Sequence, residues 1–374
     1  MKFSVSSTTL CSRLQTLSRV LASKSSLTVL ECILFELKDG KLKMTGSDGE
    51  NRLETTLEVN EPQGEGRFAI KAMTMINGLK EISEQPVWIN VNEETKEVEI
   101  SYQNGKSSFV GQSGEEYPEK APVEGVTQQV TIANDVLLNG INRALFATAD
   151  DELRPVMNGI FFDLKPESLT FVASDGHKLV RDRVLTAHSD NPTSFILPKK
   201  PARTLKEILG KESGDCTITF SDKLAELSIE NFTLSCRLID GRYPNYASVI
   251  PGDNPYHVTI DRQALIGALR RVSVFASIAT SLVRLRFENN DLKVSAQDMD
   301  YSTSAEEHIL CDYAGTPMSI GFKGTFLIDI LNSIDSQDVV LQLADPARAG
   351  VIVPADQAEG EDLLMLLMPM MLND

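Results

Sequence analysis

The feature that most constrains how this chain can fold is that it repeats itself. Laid against itself with residue 1 beside residue 128, Val5 faces Ile132, Leu10 faces Leu137, Leu14 faces Ile141, Leu37 faces Leu164 and Leu42 faces Leu169. The series continues through Ser47-Asp48-Gly49 against Ser174-Asp175-Gly176 and Phe68 against Phe195, with no change of offset. A third copy starts further along, where Ile260, Leu265 and Leu269 replace Val5, Leu10 and Leu14. By its second half the offset has shortened, with Phe287, Leu292 and Asp298 facing Leu37, Leu42 and Asp48, as a short loop deletion produces. An ordered series of this kind means one domain-sized unit used three times.

Each copy follows the same plan. A short strand (Lys2–Val5, Val130–Ile132, Val258–Ile260) runs into an amphipathic helix whose apolar residues recur every three to four positions, as at Leu10, Leu14, Leu17 and Leu21. Strands joined by polar turns follow, then a second helix (Lys71–Ile82, Lys199–Leu209, Thr325–Ile334) and two or three more strands. Strands dominate, and the expected class is α+β, three repeated domains each with an antiparallel sheet and two helices. Proline-bearing stretches, Glu115–Gln128 and Asp240–His257, separate the copies, giving expected domains at 1–124, 128–250 and 255–374.

Composition narrows the function classes. The five cysteines (11, 32, 216, 236 and 311) form no CxxC, and the N-terminus carries no signal-peptide core, so a cytoplasmic protein with reduced thiols is expected. A formal charge of −17 argues at first against nucleic acid. The charge is unevenly divided, however: the six helix segments carry +9, which leaves −26 on the sheets and loops. Arg13, Arg19, Lys24, Lys71, Lys199, Lys200, Arg203, Arg262, Arg270 and Arg271 supply the basic side. One reading is the ordinary preference of helices for Lys and Arg over Asp. The other is a helical surface facing a polyanion, touching backbone and not bases.

Enzyme signatures fail. The four histidines have no metal-ligand spacing, no cofactor-binding motif is present, and Asn104-Gly105-Lys106-Ser107 lacks the first glycine of a phosphate loop. Ser174, Asp175 and His177 look like a triad, but neighbours in one turn do not form a nucleophile–base–orienter line. The repeat makes Ser-Asp-Gly a turn, with Glu50 standing where His177 would be. Neither catalytic residues nor a metal or cofactor are expected. The C-terminal run Leu363–Leu372 is apolar throughout: Leu363–Leu367 reads as a last strand ended by Pro369, and Met368–Leu372 beyond it should be solvated. Methionine-rich surfaces suit varied partner peptides.

Phe171–Leu179, Met157-Asn158-Gly159, Asp240–Tyr246 and Met368-Pro369-Met370, in that arrangement over the whole chain, resemble the bacterial sliding-clamp family, the β subunit of DNA polymerase III. The resemblance implies a head-to-tail homodimeric ring of six domains whose helices encircle double-stranded DNA. It implies a peptide pocket walled by Met157, Ser174, Gly176, His177, Lys178, Leu179, Pro244, Val249, Leu367, Met368, Pro369, Met370 and Leu372. The catalytic subunit of the polymerase, the clamp loader, other polymerases and repair proteins would insert a short motif there. DNA contacts would fall to Lys24, Lys71, Lys199, Lys200 and Arg203, and the dimer seam to Phe109, Val274 and Phe275, the latter two on helix positions. Lys178 and Ser248 stand where relatives often carry Arg, and Met371 replaces a basic residue. The expected location is the cytoplasm, on the nucleoid.

Overall fold

A computed structural model describes residues 1–22, 27–120, 125, 127–187, 189 and 191–372. Every strand pairing in it is antiparallel, as the hairpin-rich sequence implies, and six α-helices accompany the strands among the described residues. These are α1 (Ser7–Leu17), α2 (Ala72–Lys80), α3 (Asn134–Ala144), α4 (Lys199–Leu209), α5 (Arg262–Ser273) and α6 (Gly324–Asn332).

The helices form where apolar spacing and caps coincide. In α1 the Ser6 hydroxyl accepts the Thr9 amide at 3.1 Å, satisfying one of the free N–H groups of the first turn. Leu10, Leu14 and Leu17 are fully buried, each worth about 2 kcal/mol of transfer free energy. The helix stops at Leu17, so Leu21, which continues the spacing in sequence, falls outside it. In α5, Asp261 caps Ala264 at 2.7 Å. In α4, Pro201, Ala202, Leu205, Ile208 and Leu209 point inward, which leaves Lys200, Arg203 and Lys206 on the open face.

The copies recur in three dimensions. Strand Asn51–Glu58 of the first copy and its counterpart Lys178–Val184 start at positions that the sequence repeat sets opposite each other, and so do Gly105–Val110 and Phe232–Arg237. The chain nevertheless divides into two compact units, one made of Met1–Leu138 with Lys200–Leu238, the other of Asn139–Lys199 with Ile239–Asp374. The reason lies in sheet continuity, because the middle copy gives four strands to each unit.

In the first unit a nine-stranded sheet runs through Asn51–Glu58 directly into Phe232–Arg237, with Leu53 opposite Leu234. Its second sheet has five strands and ends at Gly105–Val110. In the second unit an eight-stranded sheet joins Lys178–Val184 to Glu361–Leu367, with Val180 opposite Met365. A four-stranded sheet there ends at Thr303–Leu310. The C-terminal half of α3 can approach the second unit's sheet closely because Gly140 has no side chain: a Cβ there would lie 2.4 Å from the Phe171 ring. All five cysteines are free and buried. No described helix is long and apolar enough to cross a membrane.

Candidate peptide-binding site and nucleic-acid interface

The turn at Ser174 uses up the groups that looked catalytic. The Ser174 hydroxyl donates to the Lys178 carbonyl at 2.8 Å and accepts the Gly176 amide at 3.1 Å. Asp175 Oδ1 accepts the amides of His177 and Lys178 at 2.8 and 2.9 Å, and Gly176 sits at φ +90°. The first copy repeats this bond for bond, with Ser47 bridging Asn51 and Gly49, Asp48 accepting from Glu50 and Asn51, and Gly49 at φ +96°. In the third copy Asp298 still accepts from Asp300 and Tyr301, although no glycine follows. A serine and an aspartate held in this way support no nucleophile–base line, and His177 is exposed with its ring 6.4 Å from Phe326. Among the described residues no cluster of three metal-ligating side chains exists.

The copies differ in what Asp175 does with its second oxygen. Oδ2 pairs with the Lys178 ammonium, which is buried and stands 3.9 Å from the centre of the Phe326 ring. Lys323 approaches the same ring at 4.4 Å. Burial pushes the Asp175 carboxyl up, but the Lys178 ammonium and two amides outweigh it and hold it below its ordinary value. The Lys178 charge is therefore committed inside the turn. Behind the turn lies a concavity of about 520 Å³ lined by Phe146, Asp150, Arg154, Lys178, Lys199 and Phe326, among others.

The remaining candidate residues come from four segments of the second unit. Strand pairing sets Lys178 opposite Leu367 and Leu179 opposite Leu366. Beyond the strand, Met368 donates its amide to the His177 carbonyl at 2.8 Å, so the tail leaves the sheet at the turn. Leu179, Leu366 and Ala349 form a buried floor, with Tyr246 and Ile250 packed on it. Tyr243 stacks on Phe161 at 4.8 Å and packs with Val172, Ile196 and Val156, the residue before Met157. Tyr246 donates to Asp163 at 2.9 Å. The Arg154 guanidinium lies over Gly176. Met157, Ser174, Lys178, Leu179 and Leu367 are buried; Pro369, Met370 and Leu372 are half-buried; Gly176, His177, Pro244, Val249 and Met368 are exposed. With Tyr246 and Ile250 covering this floor, the apolar surface left exposed lies beside it, at Val249 and Met368, the kind of surface that takes hydrophobic side chains.

Two features escaped the sequence. Phe326, Ile250, Ala349, Val156 and Tyr246 all take part in this packing; only Tyr246 lay in a motif, and nothing local marks the others. The tail is also less solvated than expected. Met370 donates to the Gly321 carbonyl at 2.8 Å, and Leu372 fills the space a Gly321 side chain would take. Each copy does the same after its last strand: Gln112 and Ser113 pair with Ala69 and Phe68, and Ile239 donates to Ile196 at 3.1 Å. Part of the apolar tail is thus architectural.

The basic residues separate into two groups. Lys71 stands just before α2, at its N-cap position, and is exposed, as are Arg19, Arg203 and Arg270. Arg13, by contrast, is held by Glu212 at 3.6 Å and lies over the Phe232 ring, and Arg262 is bonded to the carbonyls of Ser336 and Leu331. Those two do not stand free on a helical face. Lys199 pairs with Asp150 and Lys200 with Asp48, each at 2.6 Å. Lys24 lies outside the described residues. Phe109 is half-buried on an edge strand, next to exposed Val110. Val274 and Phe275 are exposed, but α5 ends at Ser273: Val274 is its C-cap, and Phe275 turns back to the Val272 carbonyl at 3.0 Å.

Comparison with known proteins finds similarity along nearly the whole chain. Residues 1–121, 131–245 and 247–371 match the N-terminal, central and C-terminal domains of the DNA polymerase III beta subunit. The beta sliding clamp of Haemophilus influenzae is 27% identical, over 98% of this chain and 99% of its own. A DNA polymerase III beta subunit from Thermotoga maritima superposes with a TM-score of 0.90 at 26% identity, covering 100% of both chains. A sliding clamp from Pseudomonas aeruginosa solved bound to griselimycin gives 0.92 at 25% identity, again over 100% of both.

Proposed function

The chain belongs to the DNA polymerase III beta subunit family, the beta sliding clamps, and from that premise we propose that two copies close head to tail around duplex DNA. The protein is a processivity subunit without catalytic activity of its own, and its work is topological. A closed ring holds DNA without needing tight contacts, so it slides while keeping a polymerase nearby.

One observation carries the ring. The junction between the sheets of successive copies is made twice inside the chain, Asn51–Glu58 with Phe232–Arg237 and Lys178–Val184 with Glu361–Leu367. By the same pattern Thr303–Leu310 should meet a last strand equivalent to these, and the unused one is Gly105–Val110. Both are edge strands with one ladder side open. Open edges invite pairing with another chain, and one heterologous contact used twice closes a ring. Apolar Val110, Leu310, Val274 and Phe275 are exposed at these places, with half-buried Phe109 among them. Lys106 on one strand and Glu306 and Glu307 on the other are opposite in charge, although within the chain they already pair with Glu99, Lys293 and Arg271 respectively.

In this reading the copies span 1–124, 128–250 and 255–374, their helices line the hole, and Lys24, Lys71, Lys199, Lys200 and Arg203 meet phosphates without reading sequence. The exposed apolar surface at Val249 and Met368, beside the floor at Leu179 and Leu366, receives a short motif with a Gln and hydrophobic residues, carried by the polymerase catalytic subunit, the clamp loader, other polymerases and repair proteins. The setting is the cytoplasm, on the nucleoid. Protein loaded on nicked circular DNA should stay through gel filtration and be lost once the circle is cut. Equal loss from circle and line refutes the ring. Phe109→Asp should yield monomers in sedimentation; an unchanged dimer would move the seam elsewhere.

A further inference from the structure

We propose that Asp150 and Asp48 are displaceable counter-ions that compete with DNA phosphate for Lys199 and Lys200, and so set how weakly the clamp holds the duplex it slides on. The inference rests on the reading that the N-terminal end and the open face of α4 meet DNA. Lys199 and Lys200 are the first two residues of that helix, whose first turn contains no acidic side chain. Two ammonium groups beside the positive end of a helix dipole are unfavourable, and anions brought to them are favourable.

The fold brings one to each from far along the chain. In the second unit Asp150 reaches Lys199 at 2.6 Å. In the first unit Asp48 reaches Lys200 at 2.6 Å, and the Val20 carbonyl accepts from the same ammonium at 3.0 Å. The two aspartates are not alike. Asp48 is anchored by the amides of its turn, and these with Lys200 hold its carboxyl below the ordinary value although burial pushes it up. The Asp150 side chain is 82% exposed, so it is the partner free to swing away.

The consequence for DNA binding follows from counting ions. A lysine with no internal partner that neutralises a phosphate releases about one counter-ion, which steepens the salt dependence by about 0.9 in the logarithmic slope. A lysine that must first leave a carboxylate bares an anion as it binds, so the net release is muted. A pair whose carboxylate stands in solvent, as Asp150 does, contributes about 1 kcal/mol at most, so Asp150 weakens DNA binding by about fivefold at most. That competition is strong enough to ease sliding and too weak to prevent contact.

The test measures binding of the full-length protein to a fluorescent duplex of about 30 base pairs over a range of KCl concentrations. Asp150→Asn should bind two- to fivefold more tightly at low salt (the range set by ~0.4–1 kcal/mol for the pair), with a slope steeper by up to roughly 0.9, while Asp150→Glu behaves as wild type. The gain should disappear in Asp150→Asn/Lys199→Ala. Unchanged binding by Asp150→Asn overturns the proposal. An equal gain in the Lys199→Ala background also overturns it, since that is only the loss of one general negative charge. If Arg203→Ala and Lys199→Ala both leave affinity untouched, the DNA-facing reading of α4 fails together with this inference.

Discussion

Replacing Arg143 with Met should destabilise the second unit by about 3–5 kcal/mol, through one carboxylate. Arg143 leaves α3 and donates to Glu361 at 2.7 Å and to Asp182 at 3.3 Å, while Asp335, mostly solvent-exposed, lies 3.8 Å away. Asp182 is fully buried, on the strand that pairs with Glu361–Leu367. Burial pushes its carboxyl above the ordinary value; the Arg143 charge is the largest opposing influence. Burial pulls the guanidinium down, but Asp182 and Glu361 outweigh that and raise it. Met keeps much of the volume and removes the charge, leaving Asp182 buried without compensation and its pKa higher still. Between the ordinary carboxylate value and that raised value the folded state then binds more protons than the unfolded one, so stability falls as pH rises. The deficit should therefore be smaller at about pH 5 than at about pH 7.5. With a urea m-value of about 2–3 kcal/mol/M, the midpoint should drop by about 1–2 M at the higher pH. Far-UV circular dichroism follows the change, and Trp88, the chain's one tryptophan, lies in the first unit and serves as an internal control. Adding Asp182→Asn to the variant should restore part of the loss. A deficit independent of pH, or no recovery with Asn, would refute the reasoning.

Three further outcomes are expected. Gly49→Ala and Gly176→Ala place a side chain at φ +96° and +90° and should each cost about 1–2 kcal/mol, but only Gly176→Ala should weaken binding of a clamp-binding peptide, measured by anisotropy. Gly321→Ala puts a Cβ 2.7 Å from Leu372 and from the Met370 carbonyl, so the tail should lose its seat; a rise in amide exchange at Met370 is the readout, and unchanged protection argues against the docking. Gly140→Ala drives a methyl into the Phe171 ring at 2.4 Å and should cost about 1–3 kcal/mol, with partial rescue by Phe171→Leu in thermal melts.

What the sequence determined by itself is what repeats locally. The constant offset between the first two copies survives as matched strand starts at Asn51 and Lys178 and at Gly105 and Phe232, because the same strand and helix periods are written into each copy. The Ser-Asp-Gly turn was legible for the same reason: its bonds run between residues at most four apart. Helix ends were less so. Leu21 and Phe275 continue an apolar spacing after the backbone has turned away, and spacing alone carries no stop. Tertiary structure decided everything that depends on which distant strands lie side by side. The pairing of Thr55 with Phe232 carries the middle copy's strands into the first copy's sheet, and the chain folds as two units from three copies. The pairing of Lys178 with Leu367 brings Met368 to His177, and the fold slides Phe326 under Lys178. The positive charge counted on the helix segments was correct as arithmetic. Its physical meaning changed once Asp48 and Asp150, remote in the chain, were found beside the lysines, because a charge acts through its neighbours in space and not in sequence.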